Sequence, residues 1–204
     1  MGIKVNQETL QMIADLSNAR GASGFEDETV QAAAKHIGEG YTTEEDCLRN
    51  FYMYRTANSG NKPVFMLDAH SDEVGFMVHS IRPNGTLRFV ALGGWNVGSL
   101  ASSKVLVRNS EGKYLPGVIA AKPVHFMSAS EKASAGAADI SSLSIDIGAV
   151  SAKDAAENFK IRIGEPVVPD VTLEYDEEHD LMFGKAFDCR IGFAALIETL
   201  RRLR

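Results

Sequence analysis

The chain has 204 residues, 45% of them hydrophobic and 24% charged, with a formal net charge of −6. That length and balance fit a globular chain with one sizeable core or two small ones, and the acidic surplus argues against nucleic acid or an anionic membrane as partner. No apolar run is long enough to span a bilayer and the N-terminal stretch has no signal-peptide core. Cys47 and Cys189 lack any redox or metal-knuckle spacing, so the expected compartment is the cytoplasm.

Leu10, Ile13, Ala14 and Ala19 predict a first helix. Ser23, with Glu26 three residues later, has the spacing of a capping box for a second helix through Val30, Ala33, Ala34 and Ile37. A hairpin is expected from Glu45 to Tyr54, turning near Arg49 and Asn50. The unbroken apolar run Val64-Phe65-Met66-Leu67 reads as a strand buried on both faces of a parallel sheet. From Gly75 the pattern changes to hairpins, the clearest turning at Asn84-Gly85, and short strands continue to about Gly148. Ser151 and Asp154 offer a second capping box, for a helix reaching Phe159. A Ser/Ala-rich patch from Ser128 to Ser142 is the expected flexible loop. From about Glu165 a strand-then-helix style returns, with Leu181–Phe183 before a helical face of Phe193, Leu196, Ile197 and Leu200.

The expected fold class is therefore α/β: an α/β domain (residues 1–72, continued at 165–204) interrupted by an inserted small all-β barrel (73–164). Two segments in this plan carry chemistry. Asp68-Ala-His-Ser-Asp-Glu-Val-Gly75 follows the apolar run, at the lip where open α/β sheets hold ligands. It places His70, a good zinc or cobalt ligand, two residues before the carboxylate of Asp72. Gly184-Lys-Ala-Phe-Asp-Cys-Arg-Ile-Gly192 puts Asp188 at a second strand-to-helix junction. Read alone, His70 is more readily a histidine hydrogen-bonded at a strand end than a ligand. Composition alone prefers Asp188 as a helix N-cap, a role it can combine with ligation. Asp72 and Glu73 are equally a solvated acidic turn.

Seven segments occur in one order: GASGFEDE, AHSDEVGFMV, NGTLRF, LGGW, GVIAAKP, IDIGA and KAFDCRIG. In that order they resemble the M42 family of metallo-aminopeptidases across nearly the whole chain. The resemblance implies a metallopeptidase-type α/β domain holding two divalent metal ions, zinc or cobalt, that activate a water for release of N-terminal residues from peptides. It implies His70 as a metal ligand and Asp188 as the carboxylate bridging both ions. Asp72 is the implied catalytic neighbour, holding the His70 imidazole. Cys189 departs from the carboxylate or amide often found after the bridging Asp. A thiol ligand there is weighed and set below a bystander role.

The resemblance also implies homo-oligomers, a dimer through the β-domain and a tetrahedral dodecamer in full-length members. It further implies a Glu-Glu pair, an Asp and a final His in a portion beyond Arg204, one Glu serving as general base. On that basis the 204-residue chain is expected to be a first part, inactive alone. Two other readings stand beside it: a non-catalytic assembly module built on the β-domain, and a glycan-cleaving enzyme using paired carboxylates. His125 and Trp95 are assigned to support and packing of the β-domain.

Overall fold

The computed structural model describes residues 5–58, 60–128 and 139–203. The chain divides into two compact units. One comprises the described residues up to Glu73 together with those from Val171 onward; the other is Val74–Asp170.

The first unit is built on helices α1 (Gln7–Asn18), α2 (Asp27–His36) and, late in the chain, the helix Phe187–Arg202. Asn6 starts α1 by accepting Thr9 N–H at 2.8 Å through its side chain, an N-cap that satisfies a donor the helix cannot use internally. Met12 and Leu16 of α1, Ala32 and Ala33 of α2, and Phe193 and Ile197 of the late helix form one buried cluster. Two antiparallel ribbons accompany the helices. Strand β1 (Tyr41–Glu45) pairs with β2 (Phe51–Arg55) through a turn in which Arg49 takes a positive φ of 69°. Strand β9 (Glu174–Asp176) pairs with β10 (Leu181–Phe183).

Two expectations fail in this unit. Val64–Leu67 forms no strand, and its four apolar side chains are 46–86% exposed. Apolar character suits a strand to burial, but its backbone groups need a neighbouring strand on each side. Among the described residues each ribbon pairs only within itself, and none reaches this run. The Ser23–Glu26 capping box is also absent. Glu26 is the N-cap of α2 without a side-chain cap bond; its carboxylate accepts Gly24 N–H, and the Ser23 hydroxyl donates to Asp72 instead.

The second unit is a closed antiparallel barrel of six strands: β3 (Gly75–Ile81), β4 (Leu87–Leu92), β5 (Lys104–Arg108), β6 (Tyr114–Ala120), β7 (Ser144–Asp146) and β8 (Pro166–Pro169). They follow the order β3-β4-β7-β6-β5-β8, and β8 pairs with both β3 and β5 to close it. The barrel therefore extends beyond the expected boundary at Gly164, because 166–169 complete the hydrogen bonding of two edges that would otherwise be open. Inward alternation is visible along β3 and β4, where Phe76, Val78, Leu87 and Phe89 are buried. Trp95 stacks on Phe76 at 4.7 Å and donates its indole N–H to Gly75 O at 3.0 Å, which makes it a packing residue.

The Asn84-Gly85 turn forms as expected. Gly85 has a φ of +88°, and a Cβ there would collide with Ala149 O, so only glycine fits. Ser151 caps helix α3 (Ala152–Glu157) by accepting Asp154 N–H at 3.1 Å. Of the expected loop Ser128–Ser142, residues 129–138 lie outside the described residues. The late helix Phe187–Arg202 is α4 from here on.

Arg190 of α4 ties the first unit together. It is 1% exposed. Its Nη1 donates to the carbonyls of Leu16 (2.9 Å), Ser17 (3.4 Å) and Ala19, the unpaired acceptors at the C-terminus of α1. Its Nε donates to Ser71 O at 3.0 Å. One side chain thus joins three segments distant in sequence. We expect Arg190→Met to destabilise the chain by about 3–5 kcal/mol, because it strands several buried carbonyl acceptors and removes a cation from beside the buried Glu73. Arg190→Lys should restore little of this, since an ammonium cannot reproduce the fork. Urea denaturation followed by far-UV circular dichroism measures both; a loss below about 1 kcal/mol for Arg190→Met would show that the network contributes little.

Candidate metal centre

His70, Asp72 and Asp188 lie together in the first unit. The His70 Nδ1 is 2.9 Å from Asp72 Oδ1. An ionised carboxylate only accepts, so in the neutral ring Nδ1 carries the proton and Nε2 presents its lone pair. That lone pair faces Asp188 Oδ1 at 3.7 Å. The Asp72 Oδ2 accepts the Ser23 hydroxyl, so both oxygens of this carboxylate are engaged and its plane is held. Asp72 therefore touches the imidazole and not the open side of the site. Its contact suits a positioning residue.

The segment around Asp188 departs from regular helix. Ala186, the residue before α4, is left-handed (φ 55°), and Asp188 and Cys189 carry non-helical torsions inside the first turn. Among the described residues no backbone N–H reaches the Asp188 carboxylate as a cap, and the side chain is fully exposed. The N-cap alternative is not what the geometry shows. The carboxylate instead points its oxygen toward His70, which is itself about half exposed.

Beneath this open face lies a buried charged cluster. Glu73, 3% exposed, accepts Lys185 Nζ at 2.9 Å and Gly21 N–H at 3.1 Å, and Arg190 Nη2 stands 3.7 Å from the same oxygen. The backbone repeats the link, with Glu73 N–H donating to Gly21 O at 2.8 Å. Burial holds the Lys185 ammonium below its ordinary pKa, against the opposing pull of Glu73. Burial likewise lowers Arg190. The cluster locks 71–73 against 185–190, which sets the approach of His70 to Asp188. The solvated-turn reading of Glu73 is thereby excluded. Sequence reasoning missed Lys185, Arg190 and Ser23. The two cations were readable only as members of KAFDCRIG, since nothing in their spacing marks a buried pair.

A ring nitrogen of His70, a carboxylate oxygen of Asp188 and the Cys189 Sγ all lie within 4.8 Å of one another. Among the described residues this is the one group of three such side chains. Imidazole, carboxylate and thiol are each established zinc donors, and one ion bonds them at about 2.0–2.3 Å. The set therefore fits a single ion of that class.

Comparison with known proteins identifies the family. The sequence model of the M42 glutamyl aminopeptidase family matches residues 50–204. A glutamyl aminopeptidase of Lactococcus lactis subsp. cremoris is 31% identical over 197 residues, covering 96% of this chain and 55% of that protein. The putative aminopeptidase FrvX of Escherichia coli is 37% identical over 146 residues, 71% of this chain and 40% of that one. The crystal structure of a TET aminopeptidase from a marine sediment thaumarchaeon superposes with a TM-score of 0.87 at 32% identity, covering 97% of this chain and 54% of that chain. The chain thus spans about half the length of the relatives it matches. The family match takes in most of the chain, with His70, Asp72 and Asp188 inside it: the chain belongs to the M42 glutamyl aminopeptidase family.

Proposed function

We propose that this chain supplies part of the active site of a metal-dependent aminopeptidase, with His70 and Asp188 as metal ligands and Asp72 as the residue that orients His70. The observation that supports it best is the directed pair of contacts at His70: Nδ1 held by Asp72 at 2.9 Å and Nε2 aimed at Asp188 at 3.7 Å. A carboxylate–imidazole pair of this kind fixes the tautomer and leaves the other nitrogen basic, the arrangement of a ligating histidine with its outer partner. The cofactors in this reading are two divalent ions, zinc or cobalt, which when bound lower the pKa of a water and polarise the scissile carbonyl.

The chain's own residues do the rest. Asp72 keeps the His70 proton on Nδ1. Asp188, unencumbered by a cap, has two oxygens free to face two cations. Glu73 is buried and its Oε1 is taken by Lys185 and Gly21, away from the open face where a general base would act. No other glutamate or aspartate joins the His70–Asp188–Cys189 group among the described residues, so the 204-residue chain is inactive alone in this reading. Peptides are the substrate class. Val74–Asp170, the expected 73–164 without Glu73 and widened by β8, is the inserted domain in this reading, and it carries self-association into a dimer and, in a full-length protein, a tetrahedral dodecamer. The cytoplasmic setting agrees with two free cysteines, and no helix among the described residues is long and apolar enough to cross a membrane.

The assembly-module reading separates from this one by metal affinity. Zinc should bind in competition with a chromophoric chelator. His70→Ala and Asp188→Ala should abolish that binding, and Asp72→Asn should weaken it by about 10–100-fold. The same zinc-loaded chain should release no nitroaniline from an aminoacyl-nitroanilide panel. Wild-type affinity in all three variants would favour the module, and turnover abolished by His70→Ala would show that a general base is present in this chain.

Association has its own test. Light scattering across a dilution series should give a dimer or larger species at micromolar concentration. A monomer throughout would remove self-association from the proposal.

A further inference from the structure

The donor group beside His70 contains an atom that the proposed aminopeptidase site does not use. Cys189 Sγ lies within 4.8 Å of both the His70 ring nitrogen and the Asp188 carboxylate. We propose that Cys189 is a third protein ligand, so that one of the two ions of that reading is held by a His–carboxylate–thiolate set that favours a thiophilic divalent cation, Zn²⁺, Co²⁺ or Cd²⁺, over Mg²⁺ or Mn²⁺. The inference rests on the His70–Asp188 reading and adds to it the class of metal selected.

Three observations carry it. First, the three donors lie close together. Asp72 claims the Nδ1 proton of His70, which leaves Nε2 free at 3.7 Å from Asp188 Oδ1, and the sulfur lies within 4.8 Å of a His70 ring nitrogen and of the carboxylate. Second, the separations suit one ion. Donors on a tetrahedral zinc lie about 3.3–3.8 Å apart, given bonds of about 2.0–2.3 Å. The 3.7 Å gap between Nε2 and Asp188 Oδ1 is already in that range. The thiol needs at most about 1 Å of closure, within reach of its single rotor and the fully exposed Asp188 side chain. Third, the sulfur occupies a seat made by a missing side chain. A Cβ on Gly192 would stand 2.7 Å from Cys189 Sγ and 3.5 Å from Ala69 Cβ. Glycine at 192 leaves the thiol beside the segment that carries His70, while Cys47, the other cysteine, is exposed and outside the group.

The chemistry balances simply. The Cys189 S–H bond breaks as the S–metal bond forms, and the proton passes to solvent, so binding releases one proton more than in a variant without the thiol. A thiolate is a soft ligand, which disfavours Mg²⁺ and Mn²⁺ relative to zinc, cobalt or cadmium.

Cobalt reports the sulfur directly, because a thiolate–Co²⁺ bond gives an intense near-ultraviolet charge-transfer band that imidazole and carboxylate do not. The purified chain, reduced, is titrated with Co²⁺ as wild type, Cys189→Ser, Cys47→Ser, Gly192→Ala and His70→Ala. The band should appear at one equivalent in wild type and Cys47→Ser, disappear in Cys189→Ser, and shift in Gly192→Ala. Affinity should fall in Cys189→Ser by at least the ~10–100-fold that loss of an outer-shell partner alone causes. A measurement on the unmutated protein guards against a misfolded variant: Zn²⁺ should slow iodoacetamide modification of Cys189 at least tenfold (about the loss expected of a ligand), and Mg²⁺ should leave it unchanged, with Cys47 as the internal reference. Saturable Co²⁺ binding lost in His70→Ala but without the band, or unchanged in Cys189→Ser, overturns the thiolate ligand and leaves the His70–Asp188 site standing. Absence of any saturable binding overturns both.

Discussion

A single buried arginine joins the segments that carry the candidate site. The Arg190 guanidinium reaches the carbonyl ends of α1 and the backbone at Ser71, and Glu73 beside it holds Lys185 and Gly21. Burying so much charge is costly, and Arg190 Nε and Nη1 and the Lys185 ammonium offset it with hydrogen bonds, while Nη2 has only the Glu73 carboxylate at 3.7 Å. The cost is offset here by making 71–73 and 185–190 neighbours, although more than a hundred residues, barrel included, separate them in the chain. His70 and Asp188 stand one to three residues from those anchor points. Their 3.7 Å approach is therefore a consequence of the cluster beneath them, while their own side chains stay exposed to solvent.

This division of labour has a chemical logic. Groups that hold geometry are buried and bonded to one another, as Glu73 and Lys185 are. The groups that the proposed reading offers to a ligand are exposed, as Asp188 and His70 are. Asp72 sits between the two kinds: it touches the reactive imidazole, and Ser23 holds it in turn. The segments GASGFEDE, AHSDEVGF and KAFDCRIG, far apart in sequence, meet at this one place.

Much of the barrel was legible in the sequence because its signals are local. Asn84-Gly85 demands a tight turn, alternation from Phe76 to Phe89 sorts inside from outside, and Ser151 begins a helix by a bond three residues long. The first unit was legible only where its helices are. Val64–Leu67 looked like a buried strand, yet a strand is a relation between segments, and among the described residues no neighbour pairs with it. Ser23 looked like a cap, since the sequence does not show that Asp72 competes for its hydroxyl. At the site, His70, Asp72 and Asp188 were found through residue type and resemblance. Arg190 and Lys185 could not be, because buried ion pairing across the fold leaves no periodic trace. Cys189 was visible as a departure from a family pattern, but only its distance from His70 gives that departure a chemical meaning.

The central claim is that His70 and Asp188 converge in order to share a cation. Anomalous X-ray scattering at the zinc edge, from crystals of the zinc-loaded chain, tests it without reference to activity. An anomalous peak is expected at about 2.0–2.2 Å from both the His70 Nε2 and an Asp188 oxygen. Zinc bound elsewhere in a well-ordered crystal, with no peak between these two side chains, would contradict it.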